Sequence, residues 1–215
     1  MFRKQLRPAI VLTLALCVIT GVVYPGIVTA IAQTLFSHQA NGSLVTVNGQ
    51  VVGSELIGQA FAQPSYFHPR PSAAGAGYDG AASGGTNKGP TDIKLADTLI
   101  AGAVAAAITN DGATKGAIPT DMATASASGL DPHISPANAF LQVRRVANAR
   151  NVDSASVRAV VERHVEGRQF GFFGEPRVNV LMLNIDIDRA FPRKVMPATD
   201  SAAHAKSDTS KGTAS

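Results

Sequence analysis

The feature that most constrains this chain is an apolar segment near its start. Residues 8–36 carry no charged side chain, and roughly 20 apolar residues are enough to cross the hydrocarbon core of a bilayer. Arg3, Lys4 and Arg7 come directly before the segment, and basic residues beside a span tend to stay on the cytoplasmic side. The sequence therefore predicts a cytoplasmic N-terminus at residues 1–7, one transmembrane helix at residues 8–36 and a periplasmic position for the remainder of the chain.

The same segment leaves a second interpretation open. Ala30-Ile31-Ala32 has the small-x-small form of a signal-peptide cleavage site, which would leave a processed periplasmic binding or enzyme domain beginning near Gln33. The apolar run is longer than the ~7–15 residues of a signal-peptide core, and this favours a retained helix. Tyr24-Pro25-Gly26 lies within the run, where a proline is expected to kink the span.

Charge and cysteine content limit the classes of partner. The 215 residues have a net charge of +4, but without the three N-terminal basic residues 16 basic groups face 15 acidic ones. A nearly neutral domain attracts a phosphate backbone weakly, so nucleic acid is not an expected partner, whereas membrane lipid is. The single cysteine, Cys17, lies inside the apolar run, and we therefore expect no disulfide in the domain.

Beyond the span, the pattern predicts one α+β domain over residues 37–190 and a disordered tail over residues 191–215. Asn48-Gly49 between two β-rich runs predicts a β-hairpin. A late strand is predicted at Val178–Asp188, because apolar and polar residues alternate there.

Several helices complete the predicted domain. Arg144, Arg145 and Arg150 are expected to point outwards from one of them, and Asp186 and Asp188 are expected to lie on a solvated strand face. The predicted helices are a short one capped by Ser54 that carries Leu56, Ile57, Ala60 and Phe61, one from Thr91-Asp92 to Asn110, one from Pro136 to about Arg150 with Ser135 as N-cap, and one from Ser154 to about Val165 with Asp153 as N-cap.

Residues 74–90 are predicted to form a flexible glycine-rich loop. A lysine in such a loop invites comparison with a phosphate-binding P-loop. The segment from Gly84 to Gly89 lacks the required spacing and a preceding apolar strand. From its residues alone, the loop is a weak candidate for nucleotide binding.

The densest polar cluster is Ser128-Gly129-Leu130-Asp131-Pro132-His133-Ile134-Ser135-Pro136. Ser128, Asp131 and His133 are the residue types of a hydrolase triad, but three residues in one loop rarely reach that geometry, and no glycine-flanked serine elbow is present. The five histidines show no metal-ligand spacing. The residues favour a polar loop that caps turns and the following helix, with no catalytic residue and no metal site.

Several short stretches between the span and Asp188 are distinctive when taken together. They are Tyr24-Pro25, Asn48-Gly49, Gly53-Ser54, Leu56-Ile57-Gly58-Gln59, Tyr66-Phe67, Arg70-Pro71-Ser72-Ala73, Tyr78, the segments from Ser83 to Pro90 and from Ser128 to Ala137, Gln142, Arg145-Val146-Ala147, Ala149-Arg150 and Val178-Asn179-Val180-Leu181. In their identity and order these stretches resemble the C subunit of the Kdp-type potassium-transporting ATPase, the KdpC family.

The resemblance implies a non-catalytic accessory subunit of a high-affinity potassium uptake complex in a bacterial inner membrane. Its implied partners are a channel-like A subunit, a P-type ATPase B subunit and a small F subunit. The family is described as a catalytic chaperone that raises the ATP affinity of the B subunit in a ternary complex. Ser83, Gly84 and Gly85 are likened to a nucleotide-binding signature, which makes ATP a cofactor by resemblance only.

The predicted topology conflicts with direct ATP contact, because it places Ser83 in the periplasm, where ATP is essentially absent. The residues therefore favour an assembly and coupling subunit that affects the pump through its span and its docked domain. The candidate partner-interface residues are Tyr24, Pro25, Asn87, Lys88, Asp131, His133 and Ser135.

Overall fold

A long apolar helix precedes an α+β domain in the computed structural model, which describes residues 2–192. The helix comprises α1 (Phe2–Val18), a π turn (Ile19–Val23) and α2 (Tyr24–Leu35). Pro25 has no N–H to donate to the preceding turn, and the wider π turn directly before it accommodates that missing bond. Most of the predicted tail, residues 193–215, lies outside the described residues.

Among residues 2–192, one helical stretch is long and apolar enough to cross a membrane, and it runs from Lys4 to Leu35. None of its most apolar part is buried against the domain. A core helix of a soluble domain would be covered by its neighbours. The segment predicted to span the membrane is thus a helix that the domain leaves uncovered, which is compatible with a membrane anchor.

A hydrogen-bonded joint connects this helix to the domain. The amide side chains of Gln33 on α2 and Asn41 exchange two hydrogen bonds of 3.2 and 3.3 Å across the short helix α3 (Ser37–Ala40). His38 Nε2 lies 3.2 Å from the Glu55 carboxylate. The Glu55 N–H donates to the carbonyl of Ser43, so the end of the span is tied to the first hairpin.

The predicted hairpin is confirmed. Strand β1 (Leu44–Val47) pairs antiparallel with β2 (Gln50–Ser54). Asn48 and Gly49 have φ values of 52° and 79°, the left-handed conformation that a two-residue hairpin turn requires at both positions.

The short helix predicted after Ser54 is wrong. Turns and extended chain follow β2, and the Ser54 hydroxyl accepts the Leu56 N–H at 3.2 Å in a local turn. A serine side chain can stabilise such a turn as readily as a helix start. Gly58 then donates its N–H to the carbonyl of Leu130 and approaches that loop so closely that a Cβ would lie 2.6 Å from the carbonyl oxygen of Asp131. This tertiary contact excludes the helix.

The predicted helix from Thr91-Asp92 is confirmed in position, although its first part is a π turn (Lys94–Ile100) that continues into α4 (Ala101–Asp111). Asp92 Oδ1 accepts the N–H groups of Lys94 and Leu95 at 2.8 and 3.3 Å. Gly112 ends the helix with φ of 65°. A 3₁₀ turn (Lys115–Ala117) and the short helix α5 (Thr120–Ala123) come next along the chain.

The two caps predicted in the second half are confirmed. Ser135 accepts the Asn138 N–H at 3.1 Å and starts α6 (Pro136–Arg150). Asp153 accepts the Ala155 N–H at 3.0 Å and starts α7 (Ser154–Arg163). Strand β3 (His133–Ile134) immediately precedes α6.

The long late strand is wrong. Only β4 (Val178–Asn179) is a strand, paired with β3, and Val180–Ala190 forms helix α8. Val180, Leu183 and Ile187 are buried on one face at helical spacing, so the segment satisfied both periods. Asn179 decides between them, because its side chain accepts the Met182 N–H at 3.2 Å as an N-cap.

The hydrophobic core lies between α6, α7 and α8. An extended segment through Phe67 and His68 crosses it, held by two side-chain amides. Asn184 accepts the Phe67 N–H at 2.8 Å and donates to its carbonyl, and Gln142 does the same for His68. The fully buried apolar core residues include Phe67, Ala139, Val146, Val157, Val161, Val178, Leu183 and Ile187.

The expectation that Arg145 and Arg150 point outwards is wrong, although Arg144 is exposed. Arg145 forms a buried ion pair with Asp111 at 2.7 Å, in which the two side chains are 6% and 4% exposed. The Arg150 side chain is 1% exposed and reaches Asp188 at 2.9 Å. Backbone carbonyls compensate each buried guanidinium, and these include the carbonyls of Pro64, Tyr66 and Ser65.

The expected solvated strand face with Asp186 and Asp188 is also corrected. Both lie on α8, where Asp186 pairs with His164 at 2.9 Å and with Arg189 at 3.0 Å. Asp188 also accepts the Tyr66 hydroxyl at 2.8 Å. Hydrogen bonds from His164 and Arg189 outweigh partial desolvation and lower the pKa of Asp186.

Candidate functional site

The glycine-rich segment and the polar loop predicted from sequence lie against each other. The Ser83 hydroxyl and the Gly84 N–H both donate to the carbonyl of Ser128, each at 2.9 Å. The Ser72 hydroxyl donates to the carbonyl of Gly129 at 2.6 Å. The loop from Ser126 to Ser135, here called the hub loop, thus receives two segments that are distant in sequence.

Two glycines permit this close approach. Gly129 has φ of 68°, and a Cβ there would lie 2.6 Å from the Ala74 nitrogen and 2.7 Å from the Gly84 carbonyl oxygen. A Cβ on Gly85 would lie 2.8 Å from the carbonyl oxygen of Ala127. Both contacts are with backbone atoms, so a larger residue would push the segments apart.

Arg70 connects the hub loop to the chain before it. Its guanidinium contacts the Asp131 carboxylate at 3.0 Å and donates to the carbonyls of Thr124 and Ala125. Burial opposes ionisation of Asp131, but hydrogen bonds from His133 and Arg70 outweigh it and lower its pKa. Asp131 is therefore ionised. Its carboxylate accepts the His133 N–H in a local turn and pairs with the Arg70 guanidinium.

Tyr78 closes the same cluster from the glycine-rich side. Its hydroxyl donates to the carbonyl of Arg70, and its N–H donates to the Ser72 hydroxyl at 2.8 Å. Burial raises the pKa of Tyr78 to about 12. The phenol therefore stays neutral and acts as a hydrogen-bond donor at any physiological pH.

Asp121 supports the end of the hub loop. It accepts the Ser135 N–H at 2.7 Å, the Ser135 hydroxyl at 2.9 Å and the Asn138 side-chain amide at 3.0 Å. Ser135, singled out as an interface candidate, thus caps α6 and is itself held by a carboxylate. Its N–H and hydroxyl are therefore already hydrogen-bonded within the chain.

A cleft of about 880 Å³ opens beside the hub loop. Residues from four parts of the chain line it: Arg70, Asp121, Asp131, His133, Glu175 and Arg177. Charges of both signs face it, and the ion pairs at Asp131, Glu175 and Arg177 are already formed within the chain.

The remaining interface candidates lie apart from the hub loop. Lys88 forms an ion pair with Asp92 at 2.9 Å, and Asn87 has φ of 51°. Tyr24 and Pro25 lie in the apolar helix just after its π turn. Within residues 2–192, the side chains of these four candidates form no hydrogen bond or ion pair with the other three, which belong to the hub loop.

The geometry is poorly suited to holding a nucleotide at Ser83, Gly84 and Gly85. A phosphate needs free donors, but the Ser83 hydroxyl and the Gly84 N–H are both directed at the Ser128 carbonyl. Within residues 2–192, every buried side-chain nitrogen and oxygen has a hydrogen-bond partner, and no group of three acidic, histidine or cysteine residues could hold a metal ion. The described cluster is a self-contained structural unit.

Sequence reasoning missed Arg70 and Asp121 as parts of this cluster, since nothing in their local pattern marks their distant partners. It also missed an exposed hairpin at residues 166–177, here called the aromatic hairpin, with residues 166–168 and 175–177 as its stem and residues 169–174 as its tip. Its Phe170, Phe172 and Phe173 are 80%, 65% and 57% exposed. The signal was present as three phenylalanines among glycines, without the alternation of a buried strand.

Comparison with known proteins matches residues 6–189 to the family described as "KdpC: K+-transporting ATPase, c chain". The "Potassium-transporting ATPase KdpC subunit" of Gemmatimonas aurantiaca is 59% identical over 186 residues, 86% of this chain and 92% of that protein. The protein of the same name from Rhodospirillum rubrum is 52% identical over 88% of this chain and 97% of its own length. The one from Mycobacterium tuberculosis is 49% identical over 87% and 99%.

Proposed function

Because this chain belongs to the KdpC family of potassium-transporting ATPase subunits, we propose that it is a membrane-anchored assembly and coupling subunit of a potassium uptake complex. Its proposed partners are the channel-like A subunit, the P-type ATPase B subunit and the small F subunit. Its proposed location is the bacterial inner membrane, with the N-terminus in the cytoplasm and the domain in the periplasm.

The observation that carries the proposal is the joint between the span and the domain. Gln33 near the end of the apolar helix is bonded to Asn41, and His38 contacts Glu55, whose carbonyl accepts the Asn179 side-chain amide at 2.8 Å. Asn179 in turn caps α8 in the core. These bonded groups provide a route by which a reorientation of the span would reach the domain, as the proposed coupling requires.

The catalytic-chaperone role implied by the resemblance is part of this proposal in an indirect form. A domain on the far side of the membrane from ATP can raise the nucleotide affinity of the B subunit only by favouring one conformation of the complex. The internal use of the Ser83 and Gly84 donors supports this indirect route over a ternary contact with ATP.

The test is purification of a C-terminally tagged chain from native membranes in mild detergent, with identification of the proteins that co-purify. We expect two large membrane proteins, one of them a P-type ATPase, and a chain that begins at Met1 or Phe2. A soluble chain that begins near Gln33 and purifies alone would support the processed periplasmic alternative and contradict the proposal.

A matched pair of variants tests the glycine-rich segment as a partner contact. Lys88 lies just beyond the hub-loop contacts, whereas Lys94 is exposed and forms no ion pair within residues 2–192. If this segment docks on a partner, Lys88→Ala lowers co-purification and growth on limiting potassium, while Lys94→Ala leaves both unchanged. Equal behaviour of the two variants would remove Lys88 from the interface.

A further inference from the structure

The aromatic hairpin presents an apolar surface that no described part of the chain covers. At these exposures, its three phenylalanine residues offer roughly 400 Å² of mostly apolar area to solvent. This is within the range of about 300–600 Å² for the largest apolar patch on a soluble monomer, a patch that often has a binding role. The Phe172 and Phe173 ring centroids lie 4.2 Å apart, so these two side chains form one continuous apolar surface.

The hairpin is held in shape before it meets any partner. Gln169 and Phe173 exchange backbone hydrogen bonds of 2.9 Å, and Glu166 and Arg177 exchange bonds of 2.9 and 3.1 Å lower down. Arg168 contacts both carboxylate oxygens of Glu175 at 3.0 and 2.8 Å. A turn fixed in this way loses little conformational entropy on binding.

Charge is sorted along the hairpin. The five residues from Phe170 to Gly174 carry none, whereas the stem carries two cross-strand ion pairs, Arg168 with Glu175 and Arg177 with Glu166. An uncharged aromatic tip above a charged but balanced stem matches the gradient from hydrocarbon to headgroups at a bilayer surface.

A relay of hydrogen bonds links the base of the hairpin to the end of the apolar helix. Arg177 is two residues from Asn179, and Asn179 donates to the carbonyl of Glu55. Glu55 donates to Ser43, and Ser43 donates to His38, three residues beyond α2. At about 3.3 Å per residue, the chain from Asn179 to Phe172 spans at most roughly 23 Å, so the tip lies no farther than that from Asn179 and its bond to Glu55.

We propose that the aromatic hairpin inserts into the membrane leaflet on the domain's side and acts as a second membrane contact beside the span. This inference rests on the membrane anchoring in the proposed function. Because the stem charges balance, insertion depends on apolar area and needs no anionic lipid. A second contact fixes the orientation of the domain relative to the membrane. A single helix would leave the domain free to rotate about the helix axis.

The chain contains no tryptophan, so one substitution provides a unique fluorophore. The full chain carrying Phe172→Trp is reconstituted in phosphatidylcholine vesicles, with and without lipids brominated on their acyl chains. We expect the tryptophan emission to be blue-shifted, and we expect brominated lipid to quench most of its intensity. Phe170→Trp should behave alike, and added phosphatidylglycerol should change neither signal.

Two control positions calibrate the signal. Leu35→Trp, on the exposed surface of the span, should be quenched, and Ile108→Trp, exposed on α4, should not. Red-shifted, unquenched emission from Phe172→Trp would overturn the proposal and leave a partner subunit as occupant. A blue shift without quenching, lost on dilution, would also overturn it in favour of a second copy of the chain.

The outcomes also separate this inference from the proposed function. If the chain fails to float with the vesicles and Leu35→Trp is not quenched, the membrane anchor itself is absent. If Leu35→Trp is quenched and both hairpin tryptophans are not, only the second membrane contact is contradicted.

Discussion

At the scale of single residues, Arg70 and Asp131 show how the polar residues of the family motifs act in the fold. The guanidinium and the carboxylate join the chain before the glycine-rich segment to the hub loop, and neither side chain is more than 29% exposed. Ion pairs that are partly buried and also bonded to backbone contribute more than exposed ones. Both residues are therefore expected to maintain loop geometry.

Asp131→Asn should lower the free energy of unfolding by about 1 kcal/mol at neutral pH, because it weakens a charge-assisted bond while keeping an acceptor for His133. The pKa of Asp131 is lowered in the folded state, so its contribution is present above the ordinary value near 3.8 and is lost as pH falls through the folded value. Urea unfolding of the full chain in detergent at several pH values measures this.

Asp97→Asn is the matched control, since Asp97 is exposed on the turn before α4. It should leave stability unchanged across the same pH range. A destabilisation of Asp131→Asn that persisted undiminished at pH values well below the folded pKa would contradict the ionic part of this explanation.

Tyr78 allows a spectroscopic test of the same cluster. The chain has three tyrosines, and burial raises the pKa of Tyr78 to about 12. A raised pKa means that its stabilisation is complete below the ordinary value of 10 and is lost as pH rises towards 12. Titration of tyrosinate absorbance should show a late step that Tyr78→Phe removes; a late step that survives in Tyr78→Phe would assign it elsewhere.

At the scale of elements, Asn179 has two roles in one side chain. Its oxygen caps α8 and its amide donates to Glu55 beside the membrane joint. A lost cap alone typically costs ~1 kcal/mol, and the Glu55 carbonyl would lose a donor as well. The residue thus connects the core helix to the first hairpin.

Asn179→Ala should therefore destabilise the domain by about 1–2 kcal/mol and increase amide hydrogen exchange both in the first turn of α8 and around Glu55. Asn148→Ala, exposed on α6, should change neither. Faster exchange confined to α8 would show that the Glu55 contact does not hold the joint.

Sequence patterns identified most elements whose signal is local. The Asn48-Gly49 turn and the Ser135 and Asp153 caps each depend on local backbone chemistry, and all three appear as expected. The segment after Asn179 was misassigned because its apolar residues fit both periods and the cap was given no weight. The N-cap at Asn179, which accepts the Met182 N–H, marks this segment as a helix.

At the scale of the whole molecule, the contacts that define the candidate site join residues far apart in sequence. Arg70 pairs with Asp131, and Ser83 with the Ser128 carbonyl, over separations of 61 and 45 residues. No local period encodes such pairings. The sequence could therefore predict which motifs belong together by resemblance, but not that Ser83 and Gly84 donate their hydrogen bonds to the hub loop.

The side of the membrane occupied by the domain separates an indirect coupling subunit from one that touches ATP. Cys17 lies in the apolar helix and is the chain's single cysteine. In a Cys17→Ser background, labelling of an introduced cysteine therefore reports only the side of the membrane on which that cysteine lies. Gln5 precedes the apolar segment, and Ala101 is exposed on α4. The two positions should give opposite results.

The decisive measurement is labelling of Gln5→Cys and Ala101→Cys with a membrane-impermeant maleimide in spheroplasts, before and after permeabilisation. Indirect coupling from the periplasm predicts that Ala101→Cys is labelled in intact spheroplasts and that Gln5→Cys is labelled only after permeabilisation. The reverse pattern would place the domain in the cytoplasm with ATP and would contradict indirect coupling.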